Sequence, residues 1–175
     1  MNMRKRLTSI ALASFLFIVS AAIPVFAWDL DIEEDDFGEP FVMATTYFIQ
    51  GYGPTTNPDR INKADADDVW ALALRCQDSE LTVLVSTLRD DVNFDEDTSI
   101  KVKFSKNGTP INWNISQATN SSGFFLENEK VFAQRLSKAS RFYLRISANG
   151  IYAANFNVAS LTKYKSRFKS AGCSW

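Results

Sequence analysis

Carboxylates are the main acid–base groups of this 175-residue chain, because the sequence contains no histidine. That absence excludes Ser-His-Asp and Cys-His nucleophilic sites, and zinc or haem ligation through imidazole. Asp90 and Asp91 follow a predicted strand and could supply the acid and base of glycoside hydrolysis. Acidic loop clusters are more often solvated surface. We therefore predict no catalytic residue and no enzyme, and keep a carboxylate-dependent hydrolase acting on an envelope polymer as an alternative.

Two acidic segments have the oxygen-rich composition that calcium prefers. The first comprises Asp65, Asp67 and Asp68, and the second comprises Asp91, Asn93, Asp95 and Asp97. Neither has the glycine and distal glutamate of an EF-hand loop. We predict no cofactor, with a structural calcium ion at the second segment as the alternative.

Basic side chains are concentrated near the C-terminus. Lys163, Lys165, Arg167 and Lys169 alternate there with Tyr164, Ser166 and Phe168. These four cations could contact an anionic lipid or glycan, and the alternative is a solvated helix face. With a pI near 5.5, we expect no nucleic-acid partner.

Acidic and basic residues are segregated along the sequence. Residues 28–100 contain 18 acidic side chains against four basic ones, whereas residues 126–175 contain two against nine. This distribution could give the folded protein an acidic and a basic face, or the two halves could interleave and cancel.

The N-terminus has the layout of a secretory signal peptide. Residues 4–6 are basic, an uncharged run extends from Leu7 to Ala27, and Pro24 and Ala27 precede a plausible cleavage point. We predict a signal peptide over 1–27, an acidic mobile arm over 28–40 and one β-rich domain over 41–175. The mature protein would be periplasmic or secreted and not integral to the membrane; an uncleaved anchor is the alternative.

The chain has two cysteines, Cys76 and Cys173. An exported protein matures in a compartment where thiols oxidise, so one disulfide is expected. Two buried free thiols are the alternative. The bond would close a loop of about 97 residues, and the resulting loss of entropy in the unfolded chain would stabilise the fold by roughly 4 to 5 kcal/mol.

Period-two patterns predict several strands. They cover 41–49, the hairpin of 69–76 with 80–88, the hairpin of 99–104 with 110–115 around Asn107-Gly108, and the hairpin of 141–147 with 151–158. Helical spacing of Phe132, Ala133, Leu136 and Ala139 after Asn128 predicts one short helix, and a second should lead to Gly172. The fold class is therefore mainly β, a small antiparallel β-sandwich or open barrel with one or two short helices and one disulfide.

Scattered positions in the second half are similar to the small exported TagO/VasI-like family associated with type VI secretion loci, whose relatives also occur in phage. They are the strand ending Arg75-Cys76, the hairpin ending at Trp113, Phe124-Phe125, Phe132 and Leu136, Phe156 and Val158, and Cys173-Ser174-Trp175. The resemblance implies a bacterial, β-rich accessory domain with a Cys76–Cys173 bridge and no catalytic site.

The function expected from these observations is a non-enzymatic interaction domain of the bacterial envelope or secreted fraction. Its partner would be another envelope or secreted protein, held at a sheet edge or a charged face. A secreted inhibitor, toxin or immunity-type factor is a further alternative.

Overall fold

The computed structural model describes residues 28–34, 40–87, 89, 92, 94, 95, 97–118 and 122–175. The predicted signal peptide lies outside these residues, as do Asp90, Asp91 and Asn93. Within the described part of the chain, no helix has the length and apolar character needed to span a membrane.

The described residues form eleven strands and three short α-helices. The strands are β1 (Asp29–Glu34), β2 (Pro40–Ile49), β3 (Gly53–Thr55), β4 (Val69–Gln77), β5 (Glu80–Thr87), β6 (Ser99–Lys103), β7 (Ile111–Trp113), β8 (Ile115–Gln117), β9 (Gly123–Leu126), β10 (Arg141–Ser147) and β11 (Ile151–Asn157). The helices are α1 (Pro58–Ile61), α2 (Glu129–Leu136) and α3 (Lys165–Ser170), with 3₁₀ turns at Ala66–Asp68 and Leu161–Tyr164.

These strands make two antiparallel sheets, as the sequence predicts. The larger sheet has the order β1-β2-β4-β5-β9-β8, with β3 also paired to β2, and the smaller sheet has the order β11-β10-β6-β7. The predicted β4–β5 hairpin is confirmed, and it turns through Asp78 and Ser79, both at positive φ. The β10–β11 hairpin is confirmed as well, with Ser147 opposite Ile151.

The prediction of a mobile arm over 28–40 is wrong for its first part. Residues 29–34 form β1, which pairs with β2 from Asp29↔Thr45 to Glu34↔Pro40. Trp28 and Leu30 alternate with acidic residues, and Trp28 is 2% exposed while Leu30 packs against the core. At a sheet edge the intervening carboxylates can stay in water, so high charge does not prevent strand formation.

The turn between β6 and β7 lies one residue earlier than predicted. The register pairs Val102 with Ile111, and the Gly108 N–H donates to the Ser105 carbonyl at 3.2 Å. The central residues are therefore Lys106 and Asn107. Gly108 lacks the positive φ that an Asn-Gly turn of type I′ requires, and glycine is instead favoured at the fourth position of a type I turn.

Both predicted helices are confirmed. Helix α2 buries Phe132, Ala133 and Leu136. Asn128 precedes this helix as expected, but its φ is +57° and its side chain makes no capping hydrogen bond, so that part of the prediction is wrong. The last residues form a 3₁₀ turn followed by α3, which buries Phe168.

A chain of aromatic contacts joins the two sheets and α2 into one core. Phe48 of the larger sheet meets Phe156 of the smaller sheet at 6.4 Å between ring centroids, and Phe156 stacks on Phe142 at 6.0 Å. Phe142 contacts Phe132 of α2 at 5.2 Å. The smaller sheet is therefore covered on its inner side, and its outer side faces away from the core.

The C-terminus is held by a disulfide and a helix cap that act together. Gly172 has φ +89°, and the N–H groups of Gly172 and Cys173 donate to the carbonyls of Lys169 and Phe168, which is a Schellman motif. Cys173 bonds to Cys76 with 5.9 Å between the Cα atoms. The predicted bridge is confirmed, and it joins the end of α3 to β4.

Candidate functional site

Strand alternation places cations on the outer side of the smaller sheet. In β6, Ile100 and Val102 are buried, and Lys101 and Lys103 alternate with them and point to the opposite side; β10 repeats this pattern. Five outward side chains define what we call the basic face: Lys101, Lys103, Arg141, Tyr143 and Arg145.

The registers of the smaller sheet bring these side chains into rows. Lys101 lies opposite Arg145, which in turn lies opposite Ala153. Lys103 lies opposite Tyr143, which lies opposite Asn155. Directly opposed residues have Cβ atoms about 4.5–5.5 Å apart, so each row is a continuous contact surface.

Carboxylates are absent from the described strands of the smaller sheet: β6, β7, β10 and β11 contain no Asp or Glu. Lys101 and Arg145 are exposed and directly opposed, an arrangement that destabilises a sheet. No carboxylate in these strands offsets the repulsion, and an anionic ligand would relieve it.

Lys103 and Tyr143 contact each other within the basic face. The Lys103 Nζ donates to the Lys106 carbonyl at 2.9 Å and lies 5.1 Å from the centroid of the Tyr143 ring. Both interactions restrict the conformations of the lysine side chain.

A depression of about 440 Å³ lies on this surface. Its lining is Lys101, Lys103, Pro110, Tyr143, Leu144, Arg145, Ala153, Ala154 and Asn155. Among the lining residues, Ala153 has the small side chain that lies directly opposite Arg145. Its volume falls in the range of sites that bind small ligands or one unit of a polymer.

Acidic residues lie in β1, at the edge of the larger sheet. Asp29 and Asp31 are two of them, and β1 pairs with β2, the strand that contains Tyr47. Burial is the main cause that raises the pKa of Tyr47, and the negative charges of Asp29 and Asp31 raise it further. Burial and the nearby Asp29 also raise the pKa of Tyr164, whose hydroxyl donates to the Trp28 carbonyl at 3.3 Å.

The structure divides the predicted basic residues of the C-terminal segment. Lys163 lies in the 3₁₀ turn, while Lys165, Arg167 and Lys169 lie in α3, and all four are exposed. Lys165 and Lys169 are four residues apart and share a side of the helix, whereas Arg167 points elsewhere. Arg167 lines a different groove, beside Ile32 and Ser79.

The calcium candidates are only partly described. The Asp95 side chain accepts a hydrogen bond from the Asp97 backbone at 3.1 Å and another from the Thr98 hydroxyl at 3.2 Å, so it organises a turn. Asp91 and Asn93 lie outside the described residues, as does the carboxylate pair Asp90 and Asp91. Among the residues that are described, no three Cys, Asp or Glu side chains are grouped as a metal site.

The basic face was not predicted as a site, although the sequence contains its signal. The segments 99–104 and 141–147 each alternate cations with large apolar residues, and acids are absent from 98–126. Only the pairing of β6 with β10 shows that the two sets of cations lie side by side.

Comparison with known proteins assigns no family to this chain. No model of a protein family matches it, and no curated protein matches it. A solved structure with a related arrangement is the crystal structure of invasion associated protein b from Bartonella henselae. It is 8% identical, with 82% of this chain and 92% of that chain covered and a TM-score of 0.48.

Proposed function

We propose that the mature chain is an exported, non-enzymatic binding domain whose partner is anionic and docks on the basic face. One observation carries the proposal: four cations and Tyr143 share the outer side of a sheet whose described strands contain no acid. Lys and Arg on an open surface attract and orient an anionic partner.

Export is supported by two features. The first 27 residues have the signal-peptide layout, and the Cys76–Cys173 disulfide is typical of oxidising compartments. The resemblance to TagO/VasI-like proteins supports an accessory role in the bacterial envelope, linked to type VI secretion loci or to a phage-encoded relative.

Export can be tested by the intact mass of protein recovered from the periplasm and the medium. We expect a chain beginning at Trp28 that gains two thiol labels only after reduction. Retention of residues 1–27, or two thiols that react without reduction, would contradict it.

Binding can be tested on three immobilised polymers with one backbone: dextran sulfate, dextran and diethylaminoethyl-dextran. We expect retention on dextran sulfate and not on dextran, and this retention should weaken with salt because exposed charges are screened. A face variant replaces Lys101, Lys103, Arg141 and Arg145 with Gln, and a control variant does the same to Lys163, Lys165, Arg167 and Lys169. Because the chain is acidic, with a pI near 5.5, its carboxylates should also bind diethylaminoethyl-dextran, and the face variant should keep that binding.

Both variants lose four positive charges, so they differ only in where the charge is removed. The face variant should lose retention on dextran sulfate and the control should keep it. Equal loss in both would show that net charge alone decides binding, and loss in the control alone would transfer the site to the C-terminal segment.

A further inference from the structure

We infer that the ligand of the basic face is an anionic polysaccharide, one sugar unit of which enters the depression over Ala153. This inference rests on the proposed function and names its ligand class. The depression combines three kinds of group, which are the cations Lys101, Lys103 and Arg145, the Tyr143 ring and the Asn155 amide.

Each of these groups matches one part of an acidic sugar. The C–H face of a sugar ring packs on apolar and aromatic surface, here Tyr143, Pro110 and Ala153. The hydroxyl groups suit an amide such as that of Asn155, which both donates and accepts. A carboxylate, sulfate or phosphate substituent suits the fork of Arg145, with Lys101 directly opposite.

The positions of the cations favour a chain of sugars over a single one. Arg141 and Arg145 lie on the same side of β10, four residues and about 14 Å apart. Arg141 is therefore beyond the reach of a unit that sits beside Arg145, and it is placed to meet a second anionic group further along the polymer.

The shape of the surface argues against a lipid bilayer. Lys101, Lys103 and Arg145 line a depression, whereas a membrane surface contacts side chains that protrude. Ile151 is the large apolar side chain exposed on this side, at 68%, and one such residue is a small anchor for the interface.

The test uses the exported, oxidised chain and oligogalacturonides from monomer to hexamer, with isothermal calorimetry as the readout. Neutral maltooligosaccharides of equal length are the first control. Poly-glutamate and vesicles of phosphatidylcholine with phosphatidylglycerol in equal parts represent an acidic polypeptide and an anionic membrane. We expect affinity for the uronic acid oligomers that rises with length and then levels off, and no binding of the neutral oligomers.

Three variants locate the interaction. Lys101→Glu combined with Arg145→Glu should weaken hexamer binding about tenfold or more, whereas Lys165→Glu combined with Lys169→Glu, with the same change in net charge, should leave it unchanged. Ala153→Ile fills the depression without changing charge and suits a strand, so it should also weaken hexamer binding. Retained disulfide and unchanged near-ultraviolet circular dichroism establish that each variant is folded.

The remaining outcomes separate this inference from the proposed function. Unchanged hexamer affinity in Ala153→Ile would overturn entry into the depression. Binding of poly-glutamate or of the vesicles in place of the oligogalacturonides would overturn the polysaccharide and leave an anionic partner. Absence of binding to every anionic probe would overturn both.

Discussion

Replacing Lys101 with Glu should make the protein more stable while it weakens ligand binding. Lys101 lies opposite Arg145 with both side chains exposed, so the substitution removes a like-charge pair and creates an opposite-charge pair. Each cross-strand change is worth roughly 0.2–1 kcal/mol, so we expect the free energy of unfolding to rise by about 1 kcal/mol. For a domain of this size that corresponds to a melting temperature about 2–4 °C higher.

The assay is urea unfolding followed by circular dichroism at low and at high salt. The gain should shrink at about 1 M salt, where the Debye length is about 3 Å. Lys101→Gln removes only the repulsion and should give a smaller gain. In an Arg145→Gln background the gain from Lys101→Glu should vanish, because its partner is absent.

A Lys101→Glu protein that is equally stable or less stable at low salt would refute the electrostatic reading of the basic face. So would a gain that persists in the Arg145→Gln background, because the effect would then come from elsewhere. A gain in stability together with loss of dextran sulfate retention is the combined result that we expect of a surface kept basic for binding.

Three further predictions concern residues that hold the C-terminal segment in place. Gly172→Ala should lower the free energy of unfolding by more than about 1 kcal/mol in urea unfolding, because φ is +89° and an added Cβ would lie 2.8 Å from the Ser79 Cβ. Gly51→Ala is the control, since Gly51 has φ +82° and no neighbour within 4 Å, and it should cost less. Equal losses would exclude the Ser79 contact as the cause. Cys173→Ser should cost about 2–5 kcal/mol in the same assay, and an unchanged urea midpoint would show that the bridge adds no stability. Tyr164→Phe should lose about 0.5–1.5 kcal/mol at neutral pH with its hydrogen bond. Because the folded-state pKa of Tyr164 is raised, its contribution is present below pH about 10 and lost above it, so the stability of the Phe variant should fall less with alkali; parallel curves would refute this.

The predictable parts of the fold are those whose signal is local. The β4–β5 and β10–β11 hairpins follow from period-two burial and short turns, and α2 follows from the helical spacing of Phe132 and Leu136. Asn107-Gly108 does not occupy the centre of the turn between β6 and β7, because the register pairs Val102 with Ile111 and so makes Lys106 and Asn107 the central residues. Gly108 then takes the fourth position of the turn, where glycine is also favoured.

Local signals failed where two properties of one segment competed. Residues 29–34 are rich in carboxylates, which favours disorder, and they alternate with apolar residues, which favours a strand. Pairing with β2 and burial of Trp28 decide for the strand, and neither is visible from the segment itself.

The sequence by itself determined the mainly β fold class and the pairing of the two cysteines. It also contained the charge segregation, but could not say whether acidic and basic residues would meet in space. Tertiary structure decided this for the basic face, because β6, β7, β10 and β11 form their own sheet while the acid-bearing β1 joins the other. Lys101 and Arg145 are 44 residues apart in the chain and become direct neighbours only through strand register, a long-range property that no local pattern encodes.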